Sequence, residues 1–324
     1  MSTSDYIQIG RLLLITVVLY SCFWVWFKDP IQGPIPQSSF KNPHGEDVVE
    51  RIKTGKYDTA PFNRTHLIPP FYQYREAFVV APTYHLSSCK IEKVMTTITD
   101  AIFCYLTNTT EFLADNRTIS TEEYHIRFCL DQNMHVDYEK LHSILGDSAI
   151  EYAVVRHPIE RFLSGFIDKC INEAKKVEER CFGCKGDMEC FVQKLYSAMV
   201  NVPTTNSTEY DYEVAHFAPQ TWYCNFKDHL HHYVILKFKE GAEGASALAK
   251  EHETIYRQAG VPDNLLKEIY AQLLVGGTRH STSGTAARVD ARNTLMDNKS
   301  LLLRVTQMYY YDFVVFNFSL PILV

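Results

Sequence analysis

The chain has 324 residues, 46% of them hydrophobic and 22% charged, which suits one large globular domain with or without an anchor and excludes a disordered or collagen-like protein. With 38 acidic against 32 basic residues the net charge is −6, so the basic balance of a sequence-independent nucleic-acid binder is absent and no nucleic-acid partner is expected. Nine cysteines are too few for a small disulfide scaffold and many for an ordinary cytosolic enzyme.

Residues 12–27 read LLLITVVLYSCFWVWF, without a charge, after Arg11 and before Lys28 and Asp29. A helix of that length spans about 24 Å, short for a ~30 Å hydrocarbon core but closer to the thinner early secretory membranes. Starting at Ile7 lengthens it with Arg11 snorkelling, and Trp24 and Trp26 suit the membrane–water interface. The run closes on Phe-Trp-Val-Trp-Phe, a poor cleavage site, so an uncleaved signal-anchor is expected over a cleaved signal peptide or a buried core helix. The division expected is a cytosolic tail over 1–11, a transmembrane signal-anchor over 12–27, a stem over 28–70 opened by Pro30, Pro34 and Pro36, and a lumenal domain over 71–324.

Sequons begin at Asn63, Asn108, Asn116, Asn206, Asn298 and Asn317, and they agree with a lumenal location; Asn317, among aromatics, is expected to be buried. Cys170, Cys181, Cys184 and Cys190 have the count and spacing of zinc ligands, but a lumen favours disulfides, whose pairing spacing alone leaves open. Cys104, inside the apolar run 101–106, reads equally as a buried free thiol.

Within the folded part, 77–81 and 84–91 read as extended, and from Glu92 the apolar spacing turns helical with Val94, Ile98, Ala101, Ile102 and Leu106. The pattern returns at 150–155, a compact apolar strand, followed by the turn Arg156-His157-Pro158 and a helix that proline starts well. A third strand is expected at 233–238, with helices at 245–259, 263–274 and from about 298 to 311. Strands alternating with helices predict an α/β fold with a mainly parallel sheet, whose ligands sit at the carboxyl ends of the strands. Two turns are therefore singled out, at 92–97 and at 156–164.

In the first, Lys93, Thr96 and Thr97 set a cation and two hydroxyls at a helix amino terminus, where free N–H groups and the dipole favour phosphate or sulfate. The glycines of a Walker A loop are missing. In the second, Arg156 leaves a strand end as a planar fork suited to phosphate, and Ser164 can add a hydroxyl to the same oxyanion. Glu160 and Arg161 read as surface pairs of little energetic weight.

The segment Arg-His-Pro-Ile-Glu-Arg-Phe-Leu-Ser-Gly-Phe-Ile-Asp-Lys, 156–169, resembles the 3′-phosphate-binding motif of Golgi carbohydrate sulfotransferases, nearest the chondroitin and dermatan 4-O-sulfotransferase type and its divergent nematode branch. The resemblance implies a P-loop-like parallel sheet flanked by helices, with 3′-phosphoadenosine 5′-phosphosulfate (PAPS) as co-substrate and no metal. It places Arg156 and Ser164 on the 3′-phosphate and Lys93, Thr96 and Thr97 in the 5′-phosphosulfate loop. Glu92 and Met95 stand where that loop usually carries proline and glycine. The aromatic end Tyr309-Tyr310-Tyr311-Asp312-Phe313 fits as well. A type II Golgi membrane enzyme with a glycan acceptor, chondroitin-like or on a glycoprotein, is implied.

In-line sulfuryl transfer needs a cation at the leaving 5′-phosphate, the role expected of Lys93, and a general base for the acceptor hydroxyl. His216, in a His-x-x-Pro context like the family's, is the first candidate, against a core histidine; Glu160 and His157 are alternatives. Arg279 and His280 lie in a polar loop that could close over a nucleotide, and His229, His231 and His232 read as a solvated turn. Two other functions compete: a catalytically silent lumenal binding protein of the same fold, and a glycosyltransferase, whose Asp-x-Asp metal motif is approached only by Asp211-Tyr212-Glu213.

Overall fold

In a computed structural model, residues 42–123, 126–130, 132–146, 148–205, 210–275 and 284–323 are described. The expected anchor, the start of the stem, the sequon at Asn206 and the Arg279–His280 loop lie outside them. Among the described residues no helix is long and apolar enough to cross a membrane.

The strands are β1 (Phe78–Ala81), β2 (Leu86–Cys89), β3 (Met134–His135), β4 (Ile150–Arg156) and β5 (Tyr233–Phe238), in the spatial order β3-β1-β2-β4-β5. The sheet is mixed, which corrects the expectation of a parallel one. β2, β4 and β5 are parallel, with Leu86 opposite Ile150 and Arg156 opposite Phe238, whereas β1 runs antiparallel to both its neighbours. The cause is local: only Pro82–Tyr84 and His85 separate β1 from β2, and His85 takes a left-handed φ of 47°, so the chain reverses in a hairpin too short for a crossover. The parallel part, which carries both singled-out turns, is the part expected.

The described helices are α1 (Pro43–Lys53), α2 (Thr96–Thr107), α3 (Thr109–Ala114), α4 (Tyr138–Leu145), α5 (Pro158–Gly165), α6 (Met188–Thr205), α7 (Tyr212–Phe217), α8 (Phe226–His229), α9 (Gly241–Gln258), α10 (Asp263–Val275), α11 (Ala286–Asp297) and α12 (Lys299–Val315). Every residue of β1 and β2 and nearly all of β4 is buried, as strands covered on both faces must be. Tyr152 of β4 lies against Phe103 of α2 and His252 and Tyr256 of α9, and its hydroxyl meets that of Tyr256 at 2.7 Å, which satisfies both in a dry core.

Residues 42–70, assigned to the stem on composition, include α1, whose Val48 and Val49 are buried, and Trp222 Nε1 donates to Pro69 O at 2.7 Å. The eight cysteines from Cys89 onward form four disulfides: Cys89–Cys224, Cys104–Cys129, Cys170–Cys181 and Cys184–Cys190. The zinc alternative and the free thiol at Cys104 are both set aside by this pairing. Asn317 is exposed, not buried, as are Asn63 and Asn116.

Cys89 ends β2 at the mouth of the first turn, and its bridge to Cys224 closes a separation of 135 residues. Removing so long a cross-link enlarges the unfolded ensemble. The double variant Cys89→Ala/Cys224→Ala is expected to lose about 2–4 kcal/mol of unfolding free energy in urea titration; an unchanged midpoint would show that the bridge adds nothing.

Candidate active site

The first turn departs from a smooth strand-to-helix passage. Lys93 and Met95 both adopt left-handed backbone, φ 66° and 58°, so α2 begins only at Thr96 and not at Glu92. Such conformations cost roughly 1–3 kcal/mol for a residue with a Cβ and persist only where the surroundings impose them. Here they are imposed from the second turn: Arg161 Nε donates to Glu92 O at 2.8 Å and Arg156 Nη1 to Lys93 O at 3.3 Å. Met95 thus keeps a turn that glycine would enter freely. No side chain caps α2, whose first turn holds Thr96 and Thr97, both half-buried, and no acidic residue. The open N–H groups and the dipole of this end favour an anion. Glu92 does not oppose one, because its carboxylate pairs with Arg75.

Arg156 is the last residue of β4 and Pro158 the first of α5. The backbone of Arg156 exchanges two hydrogen bonds with the Gln220 side chain, N–H to Oε1 and Nε2–H to O, each at 2.8 Å. Asp312 of α12 holds that segment in turn, accepting from Gln220 N at 2.7 Å and Thr221 N at 2.9 Å. The Arg156 guanidinium is buried, lies 4.7 Å from the Phe238 ring centroid and pairs with Glu240. Ser164 is buried in the last turn of α5. Next to it, a Cβ on Gly165 would meet the Phe217 ring at 2.7 Å, so glycine lets α7 approach.

Beyond Gly165 the helix widens into a π-helical stretch, Phe166–Asn172, a form frequent at functional sites. It presents Asp168, which receives Lys93 Nζ at 2.7 Å and Lys169 Nζ at 3.1 Å. Lys169 also reaches Glu173, which accepts the Tyr212 hydroxyl at 2.6 Å. Burial pushes the Lys93 ammonium down against the pull of Asp168; burial would raise the Asp168 carboxyl, but Lys93 and Lys169 outweigh it and hold it below its usual range.

His216 stands on α7 with its ring 4.3 Å from that of Tyr212. Its Nδ1 lies 2.7 Å from Tyr212 O. A carbonyl only accepts, so Nδ1 carries the proton and Nε2 of the neutral ring keeps its lone pair. Burial, joined by the charges of Lys169 and Lys93, lowers the imidazole to about 4. A run of contacts from His216 through Tyr212, Glu173, Lys169 and Asp168 to Lys93, and the Arg156 contact with Lys93, link the three principal candidates.

The alternatives are otherwise engaged. Glu160 is held by Arg288 and Arg292, which outweigh its burial and lower its carboxyl, so it is a poor base. His157 packs edge-on against Phe313 and Phe318. Asp211 caps α7, and Glu213 accepts Cys181 N at 3.0 Å, so both acids of the near Asp-x-Asp are engaged by backbone. His229 stacks on Tyr138 at 4.0 Å. Arg161 corrects the surface-pair expectation: it is 2% exposed and donates to Glu92 O and, from Nη1 at 2.7 Å, to Ala218 O. Arg161, Gln220, Asp168 and Asp312 were all missed as site-builders. The only signal in sequence is a charged or amide residue inside otherwise apolar stretches.

The model of the sulfotransferase family matches residues 76–319, and the chain belongs to that family. The family expectation drawn from the second turn therefore holds. The Caenorhabditis elegans carbohydrate sulfotransferase chst-1 is 29% identical over 94% of this chain and 95% of its own length. An uncharacterized protein of the same organism is 29% identical over 85% of this chain and 78% of its own. No solved structure matches the chain.

Because His216 titrates near 4 when folded and near 6.5 when unfolded, the unfolded chain binds the extra proton between those values, so stability falls as pH drops through that window. His216→Asn is expected to show a shallower loss than wild type from pH 6.5 to 4 in urea titrations. His252, also lowered to about 4 by burial, is common to both proteins and cancels. Parallel curves would contradict the buried neutral imidazole.

Proposed function

We propose that the chain is a carbohydrate sulfotransferase that transfers the sulfuryl group of PAPS to a glycan hydroxyl, on a chondroitin-like chain or a glycoprotein sugar. One observation carries the reading: two strand–turn–helix units at the carboxyl ends of adjacent parallel strands meet directly, with Arg156 of one donating to the Lys93 carbonyl of the other. An anion-binding helix end and a buried guanidinium thereby face a common ligand with a phosphate at either end. The likeness to chst-1, a carbohydrate sulfotransferase over nearly its full length, supports the acceptor class.

In this reading Lys93, Thr96, Thr97 and the open end of α2 receive the 5′-phosphosulfate, and Arg156 and Ser164 the 3′-phosphate. The S–O bond to the 5′-phosphate breaks as the bond to the acceptor oxygen forms. Lys93, leaving Asp168, stabilises the charge growing on the departing phosphate. His216 Nε2 takes the acceptor proton; burial is the main cause of its low pKa, and donor negative charge beside Lys93 offsets the part added by the lysine field, moving the base toward working pH. No step calls for a metal.

The four disulfides, the exposed sequons and the apolar segment at 12–27 support a Golgi, type II setting with the domain in the lumen. Thermal unfolding with and without 3′-phosphoadenosine 5′-phosphate tests the donor site. At 100 times the dissociation constant the ligand adds ~2.7 kcal/mol, a rise of several degrees, which Arg156→Ala should abolish. No shift in folded wild type would overturn the PAPS reading.

A further inference from the structure

The anion that Arg156 holds in this structure is internal. Glu240 precedes α9, and its Oε1 accepts from Arg156 Nη2 and, at 2.7 Å, from Arg288 Nη2 of α11. Arg288 is anchored from behind, donating also to Glu160 O at 3.2 Å, while Glu160 is further held by Arg292. The two guanidinium side chains are 9% and 7% exposed, and that of Glu240 is 31% exposed. The cations are therefore fixed in the wall, and the carboxylate is the member with access to solvent.

Two features show that Glu240 fills this seat incompletely. Arg156 Nε and Arg288 Nη1 are buried and find no acceptor among the described residues, although a buried guanidinium N–H without a partner is costly. Charge among the described residues is also unbalanced: Arg156, Arg288 and Arg292 against Glu160 and Glu240 give 3 − 2 = +1, and +2 once Glu240 is out. A phosphate monoester, with about −1.5 to −2 charge and three acceptor oxygens, matches the second state.

We propose that Glu240 is an internal surrogate for the nucleotide's 3′-phosphate, and that the phosphate displaces it and engages Arg288 as a second guanidinium beside Arg156. The inference rests on the PAPS reading. It makes discrimination for a 3′-phosphorylated nucleotide a property of Arg288 and Glu240 as well as of Arg156.

Calorimetric titration of the full chain with 3′-phosphoadenosine 5′-phosphate and with adenosine 5′-phosphate tests it. Glu240→Gln should bind the bisphosphate about tenfold more tightly and Arg288→Ala about tenfold more weakly, the scale of one charge-assisted contact, with adenosine 5′-phosphate changed in neither. Glu240→Asp, which keeps the charge and withdraws it by one methylene, should gain less and serves if the glutamine variant does not fold. Unchanged or weaker bisphosphate binding in the Glu240 variants, or equal effects of Arg288→Ala on both nucleotides, overturns the inference alone. A wild type that binds neither nucleotide removes the PAPS reading with it.

Discussion

The guanidinium of Arg161 lies where the three segments of the site cross. Its Nε holds Glu92 O, beside Lys93; its Nη1 holds Ala218 O, two residues past His216; and its own helix carries Ser164 one turn on from Arg161 itself. A buried guanidinium is costly unless carbonyls and carboxylates receive it. Here burial raises the Glu92 and Asp312 carboxyls, and Arg161 is among the charges pulling both back, so cation and anions offset one another in the core. A planar fork with fixed N–H directions sets geometry in a way a lysine could not. The left-handed turn that aims Lys93 is therefore a consequence of a contact made from the neighbouring strand–helix unit.

The remaining supports act on the same frame. Gln220 and Asp312 fix the end of β4 to α12, and the Tyr309 hydroxyl reaches Phe217 O at 2.8 Å, so the aromatic carboxyl end of the chain buttresses both Arg156 and the His216 helix. The Cys89–Cys224 bridge ties the end of β2 to the segment that follows. The two candidate ligand-binding cations are held by internal anions: Lys93 by Asp168, Arg156 by Glu240. Such pairs keep buried charges compensated before a ligand arrives, and an entering anion gains by exchange instead of by first contact.

Much of this frame was legible in the sequence. The compact apolar runs of β4 and β5 and the proline after Arg156 mark a strand, a turn and a helix with little ambiguity, and they lie where the structure has them. Arg156 could be singled out at a strand end before a proline turn, Lys93 at a helix amino terminus, and His216 through the His-x-x-Pro context that resembles the family's. What escaped was decided by distant partners. The start of α2 depends on Arg161 and Arg156, not on any glycine in its own loop. Arg161 itself reads as a surface residue because helical spacing does not reveal that two carbonyls await it. Cys104 reads equally as a thiol or a disulfide partner, because the apolar run around it gives no sign of Cys129, 25 residues away. The antiparallel β1 follows from a hairpin whose left-handed His85 carries no glycine signature.

Transfer itself tests the central claim, that Lys93, Arg156 and His216 form one sulfuryl-transfer site. The full-length protein would be incubated with radiosulfate-labelled PAPS and a panel of desulfated glycosaminoglycans and glycoprotein glycans, beside Lys93→Met. Label should enter one of these acceptors with wild type and not with the variant. Wild type that binds PAPS yet labels none of them, or Lys93→Met that transfers at the wild-type rate, would contradict the account.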